Sequence, residues 1–142
     1  MRYKVDTNKV FIKIEKGEFI HLKILELANN LSIDSGLVVG IGAVTDVKLG
    51  YFDIDSKEYS SRDFSGEYEL ISFMGNISLR DGQRFIHTHV SISDSSYKVV
   101  GGHLFDAKIA AGGEFILSPG EISINRKFDS DVGLTLWDID NE

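Results

Sequence analysis

The sequence predicts an α+β fold, a mostly antiparallel β-sheet with one main helix packed on it. Three observations lead there. Runs of alternating apolar residues recur along most of the chain, turn signals separate them, and only one clear segment carries helical periodicity. With 142 residues, 42% of them hydrophobic and 26% charged, the chain has the length of one ordinary domain and enough apolar content for a core. Residues 1–142 are therefore read as a single domain.

Taken in order, Val10, Ile12 and Ile14 alternate with Phe11 and Lys13, a period-2 strand ended by Lys16-Gly17. From Glu18 to Leu31 the period changes. Ile20, Ile24, Leu27, Ala28 and Leu31 recur at helical spacing and define one amphipathic helix. After the Asp34-Ser35-Gly36 turn, Leu37–Val44 is a short apolar run suited to a buried strand, in which Gly40 and Gly42 permit close backbone approach. Strand-like runs follow at Val47–Phe52, Lys57–Phe64, Tyr68–Leu79, Phe85–Ser93, Val99–Leu104, Glu114–Leu117, Ile122–Phe128 and Gly133–Ile139. Turns such as Asp81-Gly82 and Ser118-Pro119-Gly120 separate them. Good helix formers in Asp106–Ala111 predict a second, short helix there.

One strand is apolar on both sides. Strict alternation through Tyr68–Ile77 puts Ile71, Phe73 and Ile77 on one face and Tyr68, Leu70 and Met74 on the other. An antiparallel sheet with a single helix would ordinarily show one face to water, so either a partner subunit covers the second face or the sheet curls over itself as a sandwich.

The charge balance narrows the partners. Fifteen Lys and Arg against 22 Asp and Glu give a net charge of −7, which opposes nonspecific binding to DNA or anionic lipid, and Arg126-Lys127 is the only adjacent basic pair. The absence of cysteine rules out disulfides, thiolate nucleophiles and Cys-based metal sites, and fits the cytoplasm. No signal-peptide or membrane-spanning pattern is expected from the amino-terminal residues.

The sharpest chemical feature is Phe85-Ile86-His87-Thr88-His89-Val90, followed by Gly101-Gly102-His103. On a strand, Ile86, Thr88, Val90 and Ile92 point one way while His87 and His89 point the other. Their Cα atoms stand about 7 Å apart at a rise near 3.4 Å per residue, a gap that two imidazoles close onto one ion. A hairpin turning near Ser95-Ser96 brings His103 alongside as a third ligand. Three neutral imidazoles with an open fourth position form the first shell of many zinc sites, although imidazole serves other late transition metals too. The competing reading of His87 and His89 is a pair of surface or interface histidines making hydrogen bonds. His21, within the helix, is read as structural.

Glu69 shares strand parity with Ile71 and Phe73, which makes it a candidate partly buried carboxylate, either a general base or a fourth ligand, set against the ordinary role of an acid paired at a strand end. Gly40-Ile41-Gly42 lacks the third glycine and the helix that a dinucleotide loop needs, since Thr45 stands at the required position. Asp53-Ile54-Asp55 and Asp138-Ile139-Asp140 read as solvated turns and tail.

Together, Gly40-Ile41-Gly42-Ala43-Val44, Leu49-Gly50-Tyr51-Phe52-Asp53, Glu69–Ile77, His87-Thr88-His89-Val90 and Gly101-Gly102-His103-Leu104 resemble the plant and prokaryote conserved domain, PPC or PCC, from about Gly17 to Phe128. The resemblance implies a homotrimer. It also implies a role like that of the plant members, where the domain follows an AT-hook and mediates assembly of DNA-binding regulators; stand-alone prokaryotic members are often labelled "putative DNA-binding protein". Two departures stand out. No AT-hook precedes the domain, and Glu67 occupies the position of an arginine in the plant Arg-Phe-Glu-Ile-Leu segment, while Glu69 matches it. The set His87, His89 and His103 looks like that of prokaryotic members, some of which carry a metal.

Three functions follow as expectations. The first is a trimeric binding or assembly module with zinc on His87, His89 and His103, and a small-molecule or protein partner. The second is an uncharacterised zinc-dependent enzyme in which Glu69 is the base for a metal-bound water. The third is direct DNA binding.

Overall fold

The computed structural model of the chain describes residues 1–139. Nine strands form one sheet: β1 (Arg2–Asp6), β2 (Lys9–Glu15), β3 (Gly36–Asp53), β4 (Glu58–Phe64), β5 (Tyr68–Arg80), β6 (Gln83–Ser93), β7 (Val99–Pro119), β8 (Asn125–Asp129) and β9 (Leu134–Trp137), with helix α1 (Ile20–Asn30) between β2 and β3. The main path runs β1-β2-β7-β3-β5-β8-β9, while β4 adds to β3 and β6 joins β5 to β7. Because β3 pairs with β5 and β7, and β6 pairs with the same two, the sheet closes on itself around these four strands. Every pairing is antiparallel except the short β5–β8 contact.

Helix α1 packs against β6 and β7, as its periodicity predicts, burying Ile20, Ile24, Leu27 and Ala28 and leaving Leu22 exposed. Its carboxyl end is tied to β6 by Arg84, which donates to the Ile33 carbonyl at 2.8 Å and to Asn29 Oδ1 at 3.0 Å and pairs with Asp34 at 2.6 Å. One continuous core joins the helix to Ile12, Ile14, Val38, Phe73, Val90, Leu104, Phe115 and others. Phe73 and Phe115 meet edge-to-face at 5.1 Å, and a Cβ at Gly40 would collide with the Phe115 ring, so the close approach expected of that glycine is made by a side chain. No helix of the described residues is long and apolar enough to cross a membrane.

Two expectations change and one strand is added. Asp106–Ala111 is strand, not helix: it lies inside the 21-residue β7 and pairs Lys48 with Asp106, Thr45 with Lys108 and Val44 with Ile109. Six residues fall well short of the length that holds a helix in water, and the pairing with β3 overrides their weak intrinsic preference. The added strand is at the amino terminus, where Arg2–Asp6 forms β1, whose side chains are all exposed and therefore carry no burial pattern to read.

The second changed expectation lies in β5. A bulge between Leu70 and Ser72 shifts the alternation, so Leu70, Phe73 and Ile77 face the core while Ile71 and Met74 are exposed. The strand is apolar on both sides, but with Ile71 and Leu70 exchanged. Outside, Ile71 and Met74 join Tyr3, Phe11 and Ile41 around an open apolar groove of about 1100 Å³.

Candidate metal centre

The two faces of β6 separate as the alternation requires. Ile86, Thr88, Val90 and Ile92 are buried, whereas His87 and Ser91 are partly buried and His89 is exposed. The chain then turns at Asp94–Lys98, where Asp94 Oδ1 accepts from the Ser96 amide at 2.8 Å, from Ser96 Oγ at 2.7 Å and from the Lys98 amide at 3.1 Å. That turn sets the register of β7 on β6 and places His103 directly opposite His89. Glycines fit where the strand is crowded: a Cβ at Gly102 would lie 2.8 Å from the Gly50 carbonyl oxygen, and one at Gly101 2.6 Å from that of Val90.

The three imidazoles converge. Ring centroids are 5.2 Å apart for His87 and His89, 5.1 Å for His87 and His103 and 5.6 Å for His89 and His103. Each offers a nitrogen, and these nitrogens lie within 4.8 Å of one another. His103 Nδ1 is buried with no hydrogen-bond partner, an arrangement that costs about 1–3 kcal/mol unless something fills the lone pair or takes the proton. Burial holds the pKa of His87 at about 4, with the Arg126 guanidinium adding to the effect, and burial together with the neighbouring His87 holds His103 at about 4. Both are therefore neutral at pH 7, the form in which imidazole binds a metal. Donor type, spacing and the orphaned nitrogen all fit a late transition metal.

Residues remote in sequence complete the surroundings. Tyr59 and Phe105 each stand 5.1 Å from the His103 ring. Asn76 lies opposite His87 in register, and its Oδ1 accepts from Arg126 Nη2 at 2.9 Å. A cavity of about 420 Å³ opens on one side, lined by His87, His103, Tyr59, Phe105, Arg80 and Arg126. Another of about 570 Å³ opens on the other, lined by His87, His89, Leu37, Met74, Ile122 and Trp137. Tyr59, Phe105 and Arg126 escaped the sequence reading because no local pattern marks them.

The remaining candidates sit elsewhere. Glu69 is exposed rather than partly buried, because the β5 bulge breaks the parity it was assigned. It pairs with Ser93 and Ala43, well along the strand from Met74, the partner of His89, and it is not among the clustered donors. His21 is structural as expected: its Nε2 and Thr88 Oγ1 share a 2.7 Å hydrogen bond, and its amide donates to Asp106 Oδ1 at 3.2 Å. Asp53 caps a turn, accepting from the Ser56 amide at 2.8 Å and hydroxyl at 3.0 Å. Asp140 lies outside the described residues, while Gly40-Ile41-Gly42 lies within β3.

Comparison with known proteins identifies the family and the fold. The sequence model of the Plants and Prokaryotes Conserved (PCC) domain matches residues 1–120. The chain belongs to this family. A PPC protein from Pyrococcus horikoshii is 31% identical over 99% of this chain and 97% of its own, with a TM-score of 0.86. A metal-containing protein from Archaeoglobus fulgidus is 31% identical over 96% of both chains, with a TM-score of 0.86. A Bacteroides thetaiotaomicron protein called a "putative dna binding protein" is 30% identical over 96% of both chains, with a TM-score of 0.93. No curated protein matches the sequence. The match begins earlier than the motifs suggested and ends before β8 and β9, so the three histidines lie inside the family's domain and Arg126 outside it.

Proposed function

We propose that this chain is a PPC-domain binding and assembly module that carries zinc, or another late transition metal, on His87, His89 and His103 and associates as a homotrimer in the cytoplasm. The observation that carries the metal is the convergence of three imidazole nitrogens within 4.8 Å around the orphaned Nδ1 of His103. The metal-containing relative from Archaeoglobus fulgidus supports the same reading. When bound, such an ion supplies Lewis acidity and a fixed positive charge. The protein's own part is to keep His87 and His103 neutral and to orient the three imidazoles, with β6 and β7 in register beneath them.

The trimer is supported by the groove around Tyr3, Phe11, Ile41, Ile71 and Met74, an apolar surface of the kind that marks a protein contact. A DNA-associated role is supported by the description of the Bacteroides relative. The net charge of −7 makes assembly with DNA-binding partners the better form of it than direct contact with phosphate.

Metal analysis of untagged protein tests the central claim. About one metal ion per chain is expected in the natural protein and none in His87→Ala/His89→Ala; equal content in the two would falsify the ligand set. Light scattering at micromolar concentration is expected to give the mass of three chains, and duplex DNA is expected to show no gel shift at about 50 mM salt, where phosphate contacts are strongest.

A further inference from the structure

The cavity on the Arg126 side of the histidines runs against the charge balance of the chain as a whole. The chain holds 22 acidic residues against 15 Lys and Arg, yet the described residues lining this cavity include Lys57, Arg80 and Arg126 and no Asp or Glu. Arg126 is partly buried and makes three hydrogen bonds, all to neutral acceptors: Nε to Ser78 Oγ at 2.7 Å, Nη1 to the Thr135 carbonyl at 2.9 Å and Nη2 to Asn76 Oδ1 at 2.9 Å. Among the described residues neither Arg126 nor Arg80 has a carboxylate within ion-pair distance. Both guanidinium groups instead lie on the same ring, 5.1 and 4.1 Å from the centroid of Phe85.

Two like charges near one ring, one of them partly desolvated, repel each other, and an anion bound in the cavity that both line would relieve that repulsion. A guanidinium has five N–H groups, so Arg126 keeps two beyond its three bonds, enough for a forked contact with a carboxylate or phosphate. Aromatic side chains also line the cavity: Tyr59 stands 5.5 Å from Phe105 and 5.1 Å from Phe52. A volume of about 420 Å³ falls within the range of small-molecule sites.

We propose that this cavity binds a small organic anion, its charged group held by Arg126 and Arg80 and its planar apolar body lying against Tyr59 and Phe105 beside the three histidines. The metal reading of those histidines would supply a second anchor, and to that extent the inference rests on it. Arg126, on β8, lies beyond the residues 1–120 matched to the family model, whereas the three histidines lie within them.

The test uses the zinc-loaded full chain and the fluorescence of Trp137, the only tryptophan, which pairs with Arg126 in the β8–β9 ladder. Phenyl phosphate, benzoate, benzyl alcohol and benzylamine are titrated in turn, with zinc content measured on the same samples. Saturable binding of either anion at least tenfold tighter than of the alcohol or amine is expected, and the tighter of the two identifies the head group. Arg126→Gln is expected to weaken that binding at least tenfold, and Arg80→Gln about threefold, with zinc unchanged. If Arg126→Gln does not fold, the exposed Arg80→Gln and a loss of affinity between about 50 and 300 mM salt carry the test. Equal affinity for the alcohol, or full affinity in the folded variants, overturns the proposal. Absence of zinc from the natural protein overturns the metal reading instead.

Discussion

The histidine cluster and the apolar groove share strand β5, yet they are finished to different degrees. Around the histidines, everything needed to converge is supplied by one chain: β6 brings two rings, β7 brings the third in register, and Asn76 of β5 lies opposite His87. The groove is lined by β1, β2, β3, β5 and β7 and still leaves Ile41, Ile71 and Met74 about half exposed or more. Strand pairing gathers the histidines on the outer face of β6 and β7, but it cannot cover the apolar side chains that β5 shows on that same face, where Met74 is the register partner of His89. One region is therefore expected to work in an isolated chain, and the other to need further copies.

Separating the two is the first way to break that contrast. Ile41→Asp/Ile71→Asp places two charges in the groove and leaves the histidines untouched; the mass from light scattering is expected to fall threefold while metal content stays constant. Loss of metal along with the mass would show that the site depends on the assembly.

A control that should damage both regions is Phe73→Ala, since Phe73 is 1% exposed and lies beneath β3, β5 and β7. Its removal is expected to cost about 3–5 kcal/mol, read from the urea midpoint. The histidine site is then isolated by His103→Ala. With zinc at about one hundred times its dissociation constant, the natural protein gains about 2.7 kcal/mol by linkage, and the variant is expected to gain nothing measurable in the same titration.

The metal-free protein is also expected to depend on pH. His87 and His103 titrate at about 4 in the folded chain against an ordinary value of 6.5, so the unfolded chain takes up protons first as the pH falls. Stability is expected to decline between about pH 6.5 and 4 and to lose nothing further from these two groups below that. The His87→Ala/His103→Ala variant should show a shallower decline, and an unchanged slope would mean that the rings are better hydrated than their burial implies.

Much of the site could be read before the fold was known, because alternation along a strand is a local property. Ile86, Thr88, Val90 and Ile92 had to be buried together, which sent His87 and His89 outward, and a short turn between two strands made His103 their neighbour. Glu69 failed for the opposite reason. A bulge between Leu70 and Ser72 depends on how three strands fit, and it reverses the parity of every residue before it. Asp106–Ala111 failed similarly, since pairing with β3 outweighs the preference of six residues.

The amino-acid order by itself therefore determined the α+β class, the position of the helix and the identity of the three histidines, all of which follow from periodicities of two and 3.6 residues. Only the tertiary structure decided that Arg126, Tyr59 and Phe105 border those histidines, that Ile71 rather than Leu70 faces outward and that Glu69 stands apart. Contacts between distant segments depend on register, bulges and sheet closure, which arise from the packing of the whole chain and leave no mark in any short stretch of it.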